Sequence, residues 1–255
     1  MTGRNWRVPV VVRAAILVSI LTVLLVACAS RNINDSLEGY WTFDEGSGVT
    51  IHDSAGTSPD GVAGGPPAWS DGVFGSALSF NGSNDYVWIN DELVLAEEYS
   101  ITVWFRAEFL LRHQDVVSVY AVGDQYPYAL HGILLEVRDD GSLRYLQRFP
   151  VGGEGGADIF AEGAYNDGQW HHAAMVKDGD GTRLYIDGQL AGANEEGAVE
   201  TPDVPMGICL GHLDLERDPD RQFKGSIDDL RIYSIALTSD EIAEVMAGPA
   251  DPRGR

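Results

Sequence analysis

From Glu38 onward, apolar residues come in short runs closed by Gly, Asp, Asn or Pro. The runs are rich in β-branched and aromatic side chains, and several alternate strictly with polar positions, which is the signature of half-buried strands. In "YSITVWFRA", Ile101, Val103 and Phe105 fall on one face and Thr102, Trp104 and Arg106 on the other. "EGYWTF", "ALSFNG", "DYVWI", "DVVSVYA", "GILLEVR", "SLRYLQR", "HHAAMVK", "TRLYID", "GICLG" and "GSIDDLRIYS" behave similarly, giving about eleven strands. The Asp139–Asp140–Gly141 turn predicts one hairpin, "DGDG" (178–181) a second, and Asp187–Gly188 turns the chain again into "QLAG". One helix is expected. Thr238 and Glu241 form an S/T-x-x-E capping box, Ile242 and Val245 or Met246 supply an apolar stripe, and Gly248–Pro249 ends it. This pattern predicts an all-β, two-sheet antiparallel sandwich with one short C-terminal helix.

The N-terminus departs from this pattern. A basic segment (residues 1–13) precedes the uncharged run "AAILVSILTVLLVA" and then Cys28. The run is shorter than the ~20 residues a membrane-spanning helix needs, and its basic flank is that of an export signal. "LVAC" (Leu25–Cys28) resembles the bacterial lipobox, which implies that Cys28 is acylated and becomes the mature N-terminus. Ala29 follows where retention signals usually carry Asp, so the resemblance points to a lipid-anchored protein of the bacterial cell envelope, at the outer membrane or cell surface. The expected organisation is a signal segment over 1–28, a polar tether over 29–37, one domain over 38–248 and a tail over 249–255.

Charge narrows the choice of partner. The chain has 39 acidic and 17 basic residues, and three of the basic ones (Arg4, Arg7, Arg13) lie in the acid-free N-terminal segment. Such a surface repels phosphate backbones and argues against nucleic acid as a partner. With Cys28 acylated, Cys209 has no intramolecular partner; lying in "MGICLGH", it reads as a buried packing residue, and the fold depends on its core.

"WHHAAMVKDGDGTRLYIDG" (Trp170–Gly188) concentrates two histidines and three aspartates. An EF-hand loop starting at Asp178 would need Gly at its sixth position and Glu at its twelfth, but Arg183 and Gln189 stand there. His171 and His172 are adjacent on a strand and so point to opposite faces, where they cannot chelate one ion. The stretch reads as strand, turn and strand, with Trp170 and one histidine packing or hydrogen-bonding near the sheet edge.

The ordered set "GYWTFDEGSGVTIHDSAG", "WSDGVFGSALSFNGSNDYVWI", "YSITVWFRA", "GQWHHAAMVKDGDGTRLYIDGQ" and "FKGSIDDLRIYSIALTSDEI" resembles the laminin-G-like jelly-roll domains of the concanavalin A-like lectin/glucanase fold. The resemblance covers residues 38–247 and implies a non-catalytic module binding glycan or extracellular protein, with a structural calcium ion. It also implies that the first and last strands are neighbours. Opposing Tyr40 to Ile232 would set Asp44 against Asp228, and Asp53 would offer a third carboxylate for calcium. The competing readings of these three acids are turn capping for Asp44 and Asp53 and acceptance of backbone hydrogen bonds for Asp228.

Two other roles on this fold can be weighed. Glucanase-type relatives carry an E-x-D-x-E-like strand motif. The nearest equivalent is Asp214–Leu215–Glu216–Arg217–Asp218, which begins and ends on Asp and runs into Pro219, so glycoside hydrolase or lyase activity is the alternative and not the leading reading. A purely structural envelope lipoprotein is the other. For ligand binding the candidates are Tyr126 and Tyr128 in "GDQYPYALHG", and Tyr145, which shares a face of "SLRYLQRFP" with Gln147 and Phe149.

Overall fold

The strands of this chain assort into two sheets because their alternation leaves each with one apolar face to bury. A computed structural model describes residues 31–65, 67–123, 126–148, 156–195, 205–212 and 220–248, with the backbone alone at 90–92, 122–123 and 126–131. Contacts divide the chain into Met1–Asn32 and a larger unit, Ile33–Arg255, which contains all the elements below.

After a 3-10 turn at Ile33–Ser36 the strands follow as β1 (Leu37–Trp41), β2 (Thr50–Ile51), β3 (Gly61–Ala63), β4 (Ala68–Asp71), β5 (Ser76–Asn81), β6 (Val87–Leu93), β7 (Tyr99–Ala107) and β8 (Gln114–Gly123). The chain continues through β9 (Tyr126–Val137), β10 (Leu143–Gln147), β11 (Ala157–Ala161), β12 (His171–Asp178), β13 (Gly181–Ile186), β14 (Gln189–Asn194), β15 (Met206–Leu210) and β16 (Lys224–Tyr233), then α1 (Ser239–Met246). The first sheet runs β14-β13-β12-β7-β16-β5-β4, with β1 also paired to β16; the second runs β11-β10-β9-β8-β15-β6-β3-β2. The two-sheet antiparallel sandwich expected from the sequence is the observed fold. Beyond the eleven strands anticipated, "QLAG" becomes β14, and β2, β3, β4 and β11 are additional.

The inward residues form one core. Ile101, Val103 and Phe105 of β7, Met175 of β12 and Ile227, Leu230 and Ile232 of β16 meet Val117 and Val119 of β8, Ile133 and Leu135 of β9 and Ile208 of β15. Each such side chain contributes roughly 1.5–3 kcal/mol when removed from water. Asp187 and Gly188 both have positive φ (50° and 76°), giving the tight two-residue turn whose twist suits a hairpin.

The outward side of the first sheet is covered as well. Ile33, Ala174, Val176, Tyr233, Leu237, Ile242 and Val245 make a second apolar cluster under α1. Both halves of the predicted capping box are present: Thr238 accepts from the Glu241 backbone N–H, and the Glu241 side chain accepts from that of Thr238. Ile242 and Val245 are the buried stripe.

Candidate functional site

The paired histidines divide as strand geometry requires. His171 Nδ1 lies 2.9 Å from Asp187 Oδ2 and its Nε2 3.3 Å from Asp167 Oδ1; hydrogen bonding to Asp187 raises its pKa. His172 turns to the other face, buried against Trp104 with ring centroids 5.1 Å apart. Burial, reinforced by the Arg231 charge, holds His172 at a pKa of about 3. Trp170 stacks on Arg106. The stretch is structural, and Asp187 serves as turn residue, histidine partner and acceptor for the His172 backbone N–H at 2.8 Å.

The seam where the chain ends meet is more informative. β1 does pair with β16, but Tyr40 opposes Arg231 and Gly39 opposes Ile232, one residue away from the expected register. The β1–β16 ladder shifts by one residue at Glu38, between the Leu37–Tyr233 and Gly39–Ile232 pairs, and a separate bulge at Asp229, whose φ is 52°, absorbs an extra residue of β16 against β7. Asp44 and Asp228 nevertheless attend the same turn: Asp44 Oδ1 accepts from Ser76 N at 2.8 Å, and Asp228 Oδ2 accepts from Val73 N and Phe74 N at 2.7 and 3.0 Å. Asp53 does not join them. Its carboxylate accepts four backbone N–H groups, from Tyr40, Ala55, Thr57 and Ser58, and so caps the 53–58 turn with little capacity left for an ion.

The remaining two acids suit a cation in part. Asp228 Oδ1 is buried without a hydrogen-bond partner. Burial pushes the Asp228 carboxyl up to about 7, and the charges of Asp229 and Asp44 add to the rise. A divalent ion beside Asp44 and Asp228 would satisfy that oxygen and offset the repulsion, with backbone carbonyls and water completing its shell. No group of three or more His, Cys, Asp or Glu is placed to hold a metal among the described residues, so the three-carboxylate set expected from the sequence is not assembled.

The tyrosine candidates fare unevenly. Tyr145 is in the core, 1% exposed, with its hydroxyl donating to Gln147 Oε1 at 2.9 Å and 3.4 Å from that of Tyr99. It cannot meet a ligand, because the face it shares with Gln147 points into the sandwich. The side chains of Tyr126 and Tyr128 lie outside the described residues, as do Cys28, Phe149 and the 214–218 acidic run. Cys209 is buried in β15, as expected of a packing residue.

A concave site lies on the outward side of the first sheet. A cavity of about 410 Å³ is walled by the 3-10 turn (Ile33, Asp35), the 54–57 turn and the end of α1 (Glu244, Val245), over Tyr40 and Arg231. Arg231 stacks on the Tyr40 ring, 4.5 Å from its centroid. Its Nε and Nη2 contact Asp229 at 2.6 and 3.0 Å, and the Tyr40 hydroxyl donates to Asp229 at 3.0 Å. Burial and the Asp229 charge raise the Tyr40 pKa, so the phenol stays a donor. Neighbouring turns missed by strand-by-strand reading, together with α1, create this hollow. Its aromatic face, hydroxyls and carboxylates can contact both the C–H faces and the hydroxyls of a sugar.

The second sheet carries a carboxylate pair. Asp115 and Glu136 oppose one another across β8 and β9, both buried. Arg221 lies between them, with Nη2 3.0 Å from Asp115 Oδ1 and also contacting Glu136 Oε2. The guanidinium thus contacts both carboxylates and offsets the repulsion between them.

A family model described as the concanavalin A-like lectin/glucanases superfamily matches residues 81–243. No curated protein matches the chain in sequence. Among solved structures, domain 4 of AbnA, a GH43 extracellular arabinanase from Geobacillus stearothermophilus in complex with arabinotriose, is similar, with a TM-score of 0.58 and 24% identity over 82% of this chain and 98% of that one. The binding domain of Paraclostridial Mosquitocidal Protein 1 has a TM-score of 0.64 and 17% identity over 84% of this chain. The botulinum neurotoxin serotype D ligand-binding domain in complex with N-acetylneuraminic acid has a TM-score of 0.62 and 16% identity over 85% of this chain. The present chain spans 52% of each toxin domain. On the family match and the observed sandwich, this chain belongs to the concanavalin A-like lectin/glucanases superfamily.

Proposed function

We propose that this chain is a non-catalytic binding module that holds a glycan in the cavity above Tyr40 and Arg231. The cavity carries the reading: its volume lies within the roughly 300–1,000 Å³ of small-ligand sites, and its lining mixes an aromatic ring with hydroxyl and carboxylate groups. Relatives in fold that were solved with arabinotriose and N-acetylneuraminic acid support a glycan over a protein ligand. The enzyme alternative has less support. Asp35 and Glu244 at the cavity are exposed, and the buried Asp115–Glu136 pair is bridged by Arg221.

A glycan array on the full chain, followed by calorimetry, tests the reading. Ala55→Trp, placed in the 54–57 wall, is expected to abolish binding of a small sugar while leaving the melting midpoint in place. Absence of binding across a broad array would overturn the glycan reading and favour a protein ligand or a structural role.

Two further features complete the proposal. A structural calcium ion would be held by Asp44 and Asp228, stapling the chain ends; it supplies charge neutralisation and no chemistry. Removing it with EDTA should lower the melting midpoint, and Asp228→Asn should abolish that response. Acylation of Cys28 would tether the module to the cell envelope, so Cys28→Ser should lose incorporation of labelled fatty acid.

A further inference from the structure

We propose a second, separate glycan-contact surface on the outward side of the second sheet, formed by Tyr86 and Trp88 beside Val62, which takes the rings of a neutral polysaccharide. This extends the glycan reading to a surface on the opposite sheet from the cavity.

Val87 and Ile89 of β6 point into the core, so alternation turns Tyr86 and Trp88 outward, roughly 6.6 Å apart along the chain. Both are only partly buried. Each ring lies over a glycine of the adjacent strand. A β-carbon on Gly64, next to β3, would fall 2.1 Å from the Tyr86 ring, and one on Gly207 of β15 would fall 3.1 Å from the Trp88 ring. Gly64 and Gly207 occupy outward positions, two residues from Val62 and cross-strand from Tyr120 respectively. Each ring therefore lies along the sheet surface. The absent side chains leave room for rings laid down rather than standing up.

The surroundings fit this reading. Val62, directly opposite Trp88 on β3, is 53% exposed. Trp88 is braced from behind by Tyr120, with centroids 5.8 Å apart and planes tilted by 42°. The result is a low aromatic–aliphatic platform at the β3 side of the sheet. Sugar rings stack on such faces through their C–H groups, and successive rings of a chain can use successive aromatics. None of the platform side chains is a cation, so nothing in it selects an acidic sugar over a neutral one.

The test uses the full chain and soluble neutral polysaccharides (arabinan, xylan, mannan and β-glucan) in affinity electrophoresis, with calorimetry on oligosaccharides of rising length. Binding should tighten with length, and Trp88→Ala should weaken polymer binding about tenfold, an effect of the size expected for one aromatic stack. Trp88→Phe should retain most of the affinity. Val62→Glu, at an exposed position with no core contact to lose, should reproduce the Trp88→Ala loss at an unchanged melting midpoint. Ala55→Trp separates the two sites: it should abolish small-sugar binding in the cavity and spare the part of polymer affinity that Trp88 supplies. A folded Trp88→Ala and a folded Val62→Glu that both bind polymer normally would overturn the platform while leaving the cavity intact. Trp88-dependent self-association without polymer binding would also overturn it, making the patch a protein contact.

Discussion

Each sheet directs one arginine at buried carboxylates on its outward side, and the two sites differ in what they leave open. On the first sheet Arg231 holds a single acid, Asp229, with Tyr40 sharing the load, and the trio lies under a cavity. On the second sheet Arg221 holds two acids, Asp115 and Glu136, and fills the gap between them. The lesson is that a close pair of carboxylates on a sheet face is not by itself a catalytic signature. The cation between them offsets their repulsion and ties β8 and β9 to the segment before β16, whereas Arg231 and the neutral phenol beside it floor an open cavity.

The largest effects should come from breaking the clamps. Arg221→Met leaves two buried anions facing each other and is expected to cost about 3–5 kcal/mol of folding stability in urea titrations. Arg231→Met leaves one anion that still accepts from Tyr40, so its cost should be smaller, about 3 kcal/mol. The double change Arg221→Met with Glu136→Leu should recover part of the first loss. An Arg231→Met variant less stable than Arg221→Met would reverse the ranking of the two sites.

Acid sharpens the comparison on the first sheet, where His172 lies near Arg231. Its folded pKa of about 3 is below the unfolded value of about 6.5, so the unfolded chain binds the proton first as pH falls. The contribution of His172 is complete above about pH 6.5 and is lost on acidification, by about 3 kcal/mol at pH 4. His172→Leu should flatten that part of the stability profile, measured against the wild type from pH 7 to 4. An unchanged slope would mean that the buried ring is not the group being titrated.

The lid over the first sheet can be loosened without touching either clamp. Thr238→Ala removes one half of the capping box and should cost about 1 kcal/mol. Because Glu244 and Val245 wall the cavity, the same change should weaken sugar binding, while polymer contact at Trp88 on the other sheet should be indifferent to it.

Much of this molecule was legible because alternation and turn chemistry are local. The β7 faces, the split of His171 from His172, the Asp187–Gly188 turn and the capping box all follow from neighbours in sequence. The β1–β16 pairing followed from resemblance, but its register did not, because an irregularity at Glu38 of β1 shifts the ladder by one residue, which no period-2 pattern reveals. β2, β3 and β4 were missed because strands of two to four residues carry too little alternation. The cavity joins segments near residues 35, 55 and 245, which only the closed fold brings together. Tyr145 misled because an aromatic on a strand face signals a ligand platform only if that face is outward, and its neighbour Leu146 is the one that points out, to meet Leu134. Tyr86 and Trp88 had the right alternation all along; what the sequence lacked was the glycine beneath each ring.

The smallest effect comes from the other histidine and has the opposite sign to that of His172. His171 bonds Asp187 and Asp167, and its folded pKa is raised above the unfolded value. Its contribution is therefore complete below about pH 6.5 and is lost as pH rises through the folded value. The two aspartates are partly exposed, at 45% and 42%, so solvent screening holds the gain below about 1 kcal/mol. His171→Ala should thus lower stability slightly at pH 5.5 and less at pH 8.5, with added salt shrinking the difference. His172→Leu should act in the reverse sense over the acid range. Adjacent residues would then tilt the pH profile in opposite directions, because one ring is paired with anions at the rim and the other is sealed beside a guanidinium.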